Sequence, residues 1–141
     1  TITAACVDFK IGGKNVHKGS VSGLQIAGDG ARCEVEGFQH FGTTGGGTGL
    51  RINNAGWTIK RPHVENSASG STGSTVGINA QAVCTIHQPL CKLQSSGHIY
   101  SLLVGAVTGV EIYDAVTTAA VSDGGTSTIN SNARVSLIYA T

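Results

Sequence analysis

Charge is scarce in this 141-residue sequence: 12% of its residues are Asp, Glu, Lys or Arg, and the formal net charge is +1. A surface that grips nucleic acid or an anionic bilayer needs clustered Lys and Arg. The longest basic run is Lys60-Arg61, so neither partner is expected. Methionine is absent and Trp57 is the single tryptophan. Glu and Lys are too sparse to solvate a set of amphipathic helices. No apolar run approaches the roughly 20 residues of a membrane span, and no membrane insertion is expected. The cysteines (Cys6, Cys33, Cys84, Cys91) lack any C-x-x-C pair, which argues against a structural zinc site. No metal and no cofactor is expected. Four cysteines permit two disulfides, but Cys33, Cys84 and Cys6 lie among strand residues, where a thiol serves as a small hydrophobe. The histidines (His17, His40, His63, His87, His98) are scattered and read as surface or turn residues. The chain opens on Thr1 rather than Met, as expected of a processed product or a fragment, and shows no basic-then-apolar leader.

What is abundant is glycine, 21 residues, with Ser, Thr, Ala and Val around it. Gly supplies the positive φ of tight turns, and β-branched residues fit a pleated surface. The strand-like residues also repeat. Leu24, Leu50, Val76 and Leu102 recur every 26 positions, beside Ile26, Ile52, Ile78 and Val104, with Ile129 one residue short. Phe38, Val64, Leu90 and Val116 form a second column at the same interval. Between them lies another pair in each unit: Cys33/Val35, Trp57/Ile59, Cys84/Ile86, Val110/Ile112, Val135/Leu137. Each unit thus holds three short alternating strands separated by Gly, Asn and Ser. The longest such stretches are Gly42–Gly49, Ser67–Ser74 and Ser122–Ser127.

Short strands that cannot bury a face alone become stable when like units stack. The expected fold is all-β: a single right-handed parallel β-helix of about four to five coils of about 26 residues. Residues 1–20 are expected to form an N-terminal partial coil or cap, and residues 21–141 the coils. A β-sandwich is the alternative, but its strands recur at about 8–12 residues without matching triplets.

Asn53, Asn79 and Asn130, with Gly105 in the intervening unit, follow the first strand. Stacked Asn amides can hydrogen-bond along a solenoid axis, and Asn and Gly tolerate an αL turn. With this column, and with the unit from Gly49 to Asn66, the chain resembles the pectate-lyase-like right-handed β-helix superfamily from about Val21 to Leu137. The resemblance implies a fold more than an activity. Its members include pectin and pectate lyases, polysaccharide hydrolases and bacteriophage tailspikes, which bind long glycans along an outer sheet face or use carboxylates there.

Outward side chains are therefore the candidates. Glu34 and Glu36 alternate with Cys33 and Val35, so they share one face about 6.6–6.8 Å apart along the strand. That spacing suits a carboxylate pair about a glycosidic bond; it equally suits a solvated sheet. Glu111 and Asp114 form a second such couple, and Asp29 reads as a turn residue. Trp57 is either a core aromatic or a sugar-stacking platform. The outward column Glu34, Thr58, Thr85, Glu111, Ser136 gathers no carboxylates for calcium, and the lyase motif is absent. The Gly45-Gly46-Gly47 run lacks the Gly-Lys-Ser/Thr of a phosphate loop.

Two functions follow as expectations. One is a structural and receptor- or glycan-attachment module of a viral tailspike, tail fibre or similar adhesin. It would sit on a virion or outside a cell and bind host surface polysaccharide as a homotrimer. The apolar end Arg134–Tyr139 would then lie against a partner chain. The other is a polysaccharide-cleaving hydrolase or lyase working through Glu34 and Glu36.

Overall fold

A computed structural model of the chain describes residues 1–19, 22–42, 47–66, 75–93, 98–117 and 121–129. The described residues contain strands and no helix. Every strand pairing is parallel, and the strands collect into three long sheets plus a two-stranded one. This is a parallel β-solenoid of about four turns, with coils spaced near 24 residues rather than at a constant 26.

Each coil visits the three sheets in the same order. The first sheet stacks Leu24–Ile26, Gly47–Ile52, Thr75–Ala80, His98–Val104 and Val121–Asp123. The second stacks Lys10–Ile11, Cys33–Glu36, Trp57–Lys60, Cys84–His87, Thr108–Tyr113 and Thr126–Ile129. The third stacks Asn15–Gly19, Phe38–Gly42, His63–Asn66, Leu90–Leu93 and Val116–Thr117. The N-terminal residues join at each station: Ile2 bridges Ile26, Cys6 pairs with Gly30, Lys10 with Glu34 and Asn15 with Phe38.

Strands this short hold together because each inward residue lies on an inward residue of the next coil. Leu50, Ile52, Trp57, Ile59, Ile78, Ile86, Leu102 and Ile112 are fully buried in one continuous core. At roughly 1.5–3 kcal/mol for each large aliphatic side chain, this column outweighs what any surface pair supplies.

The registers differ from a strict 26-residue ladder. Leu24 does pair with Leu50, but Leu50 pairs with Ile78 and Val76 with Thr48. The chain then returns, with Ile78 on Leu102. Side chains alternate with period two, so a two-residue slip keeps the same residues inside. In the third sheet Val64 pairs with His40 and Cys91 instead of Phe38 and Leu90. That odd offset turns Leu90 and Val116 outward, and Val116 is 45% exposed. Ile129 lies on Ile112 in the second sheet, not in the first-strand column. Val135 and Leu137 lie outside the described residues.

The first and third sheets meet at a column of small residues. Gly23, Gly49, Gly77 and Ser101 follow one another in register. A side chain on Gly49 would meet Val64, and one on Gly77 would meet Cys91 at 3.3 Å. Small residues on one wall make room for His40, Val64 and Cys91 on the other.

Candidate functional site

The outer face of the second sheet carries most of the polar chemistry. Its strands read buried, half-buried, buried, half-buried in Cys33–Glu36, Trp57–Lys60 and Cys84–His87. Two outward columns result: Lys10, Glu34, Thr58, Thr85, Glu111 and, beside them, Glu36, Lys60, His87, Tyr113. Glu34 and Glu36 do share a face, but cations from both neighbouring coils surround them. Lys10 Nζ stands 2.8 Å from Glu34 and 3.2 Å from Glu36, and Lys60 Nζ stands 2.5 Å from Glu34. Arg61 closes the cluster on Glu36.

This arrangement sets the acid–base character of the pair. The Lys10 ammonium, helped by Lys60, holds the Glu34 carboxyl below the usual carboxylate range. Lys10 first, then Arg61, does the same for Glu36. The same contacts raise Lys10. A glycosidase acid needs the opposite environment, one that keeps its proton near neutrality. Both carboxylates here are ionised and neutralised, which favours the solvated-sheet reading of the two glutamates.

Further along the face, Thr85 Oγ1 and Tyr113 Oη both donate to Glu111 Oε2, at 3.4 and 3.2 Å. The His87 and Tyr113 rings stack with centroids 5.1 Å apart and planes 11° apart. The face is thus a strip of hydroxyls, amines, carboxylates and one ring pair. Such groups can exchange hydrogen bonds with a polyhydroxylated ligand.

Trp57 is not on this strip. It is 1% exposed, its Nε1–H donates to the Gly28 carbonyl at 2.8 Å, and Phe9 meets its edge. Alternation in phase with Ile59 sends the indole inward, so it is a core aromatic and offers no face to a sugar. The asparagine ladder is also corrected. Asn79 lies in a strand, between Arg51 and Leu103. The residues that follow the first strand in register are Ala27, Asn53, Gln81 and Gly105, each amide bonding to the coil before. The 28-residue step between these coils moves Asn79 off Asn53, and Gln81 reaches back to the Asn79 side-chain oxygen. Asn130 lies outside the described residues.

The cysteines form no disulfide and remain thiols. Burial pushes Cys84 up to about 12 and raises Cys91 as well, so neither is poised as a nucleophile. Among the described residues no three His, Cys, Asp or Glu side chains gather as a metal site would require.

Two features escaped the sequence reading. The first is a column of left-handed turn residues between the second and third sheets: Gly13, Gly37, Arg61, Gln88 and Asp114, with φ from 51° to 85°. Both prolines follow it, Pro62 after Arg61 and Pro89 after Gln88, and their carbonyls accept from Leu90 and Val116. Their shared phase was the available signal. The second is the pair His17 and His40, 23 residues apart and stacked in adjacent coils. Compared with known families, curated proteins and solved structures, the chain matches none.

Proposed function

We propose that the chain is a structural and attachment module of a viral tailspike or a comparable surface protein, in the pectate-lyase-like lineage it resembles. It would contact a host polysaccharide or glycan receptor along the outer face of the second sheet. The observation that carries this reading is the neutralisation of Glu34 and Glu36 by Lys10, Lys60 and Arg61. It leaves a polar strip suited to holding a glycan, and neither Glu34 nor Glu36 keeps the proton that a cleavage acid needs. A virion or extracellular setting and a homotrimer belong to the same proposal, since association would cover solenoid faces such as the one carrying Leu90 and Val116.

The test is a glycan array followed by incubation of the best-bound polysaccharide with the parent protein and the Glu34→Gln, Glu36→Gln double variant. Binding above background with no new reducing ends supports attachment. Cleavage by the parent that the double variant loses replaces it with the enzyme reading, and no glycan binding overturns the ligand assignment. Light scattering that finds a stable monomer at micromolar concentration defeats the trimer.

A further inference from the structure

His40 is the one buried histidine among the described residues of the third sheet's inward column, which continues in Val64, Cys91 and Thr117. It is 3% exposed, and His17 covers it from the first coil. The two Nδ1 atoms are 2.9 Å apart, with the rings 14° from parallel and their centroids separated by 5.1 Å. Gly23 also packs close, where even a methyl would sit 3.0 Å from His40 Nδ1. The Nδ1 edge of His40 is therefore held between His17 and the Gly23 backbone.

A contact between two Nδ1 atoms has a strict proton count. One must carry hydrogen and the other must offer its lone pair. Neutral–neutral and singly charged pairs satisfy it; a doubly charged pair puts two N–H groups and two positive charges against each other, one of them on the buried His40. Among the described residues packed against the pair, no anion faces it. On the strand carrying His17, the neighbouring Lys18 is a cation at the position paired with Phe41. On the other flank, Val64 lies against His40, while His63 and Glu65 pair at the outward Gln39 and Phe41 positions and with each other. The first-sheet strand Gly47–Ile52 packs nearby, and its Arg51 is exposed and outward. Residues 20–21 and 43–46, which flank these strands in sequence, contain no ionisable side chain.

We infer that the His17–His40 pair is an acid-operated latch, holding the strand Asn15–Gly19 onto the solenoid at neutral pH and releasing it when both imidazoles are protonated. Release would uncover the edge of Phe38–Gly42, a parallel strand edge able to accept another strand. Burial and the neighbouring His17 both lower the proton affinity of His40, consistent with a latch that stays shut until the solution is acidic. The inference stands apart from the attachment reading.

Hydrogen exchange tests it, measured at pH 7.5 and 5.0 and divided by the intrinsic exchange rate at each pH. Peptides covering residues 15–19 should exchange at least tenfold faster at pH 5.0, while peptides covering 84–87 in the central core change less than twofold. His17→Gln removes a charge from the exposed partner and leaves an acceptor for a protonated His40, so its acceleration should fall to threefold or less. The exposed position makes this variant safe for folding; His40→Leu, if it folds, should show no acceleration. Less than twofold acceleration in the parent overturns the latch. So does an undiminished response in His17→Gln.

Discussion

At the scale of single residues, alternation decides more than residue type. Trp57, Glu34 and His40 are all chemically versatile, and each takes its role from the face on which its strand places it. Trp57 points in, fills the space beneath Gly30 and satisfies its only donor on Gly28. Trp57→Ala should therefore cost about 3–5 kcal/mol, read as a lower urea midpoint. Any glycan affinity of the fraction that remains folded should be unchanged. A stability loss below about 1 kcal/mol, well under the cost of emptying a packed aromatic site, would contradict its core role. The inward direction was legible from the phase shared with Ile59. The neutralisation of Glu34 was not, because Lys10 and Lys60 stand 24 and 26 residues away and become its neighbours only when coils stack.

At the scale of elements, the tight turns between the second and third sheets carry strain. Arg61, Gln88 and Asp114 hold φ near 50°, a conformation that costs an L-residue roughly 1–2 kcal/mol. Gly13 and Gly37 meet the same demand in the first two coils without that cost. Pro62 and Pro89 immediately precede the next strands, where a missing N–H is tolerated, and both are buried. Gln88 is exposed, so Gln88→Gly should stabilise the protein by about 0.5–1 kcal/mol, after the entropy lost by glycine is set against the relieved strain. Gln88→Val should destabilise it, since a β-branched residue is least tolerant of positive φ. Thermal melts of the two variants would show it, and equal shifts in the same direction would refute the turn's role. The strand pattern that led to a solenoid was plain in the sequence. The turn column was not, because Arg and Gln are ordinary αR or β residues elsewhere.

At the scale of the whole molecule, acid should weaken the solenoid in two stages. His40 has a folded-state proton affinity below its ordinary value of 6.5, so the unfolded chain binds the proton first. Stability is undiminished above about pH 6.5, the ordinary histidine value, and falls as the pH drops from there through the lower folded value. Glu34, Glu36 and Asp8 are also lowered, Glu34 and Glu36 first by Lys10 and Asp8 by Arg32. Their contribution is present above the ordinary carboxylate range and is lost as the pH falls through and below it. Urea midpoints taken from pH 7.5 to 3 should show both declines. Salt should shrink the second, because those pairs are exposed or partly exposed and screened, and Glu34→Gln with Glu36→Gln should reduce it. A midpoint flat from pH 7.5 to 3 would remove both assignments.

The sequence by itself determined the architecture, because period-two alternation combined with a recurrence near 26 residues leaves stacked parallel coils as the arrangement that buries every apolar column. It also determined that Glu34 and Glu36 share a face, and it set Cys33 and Cys84 among inward strand residues, where both are buried thiols. Only the tertiary structure decided which coil residues touch. A slip of two residues preserves every inward side chain, so steps of 24, 26 and 28 read alike in the sequence, yet they separate Asn79 from Asn53; the odd step that sets Val64 on Cys91 changes which residues face inward. The charges that silence the carboxylates and the histidine that covers His40 are contacts between coils. They arise from register, which loop length and packing settle after the strands have formed.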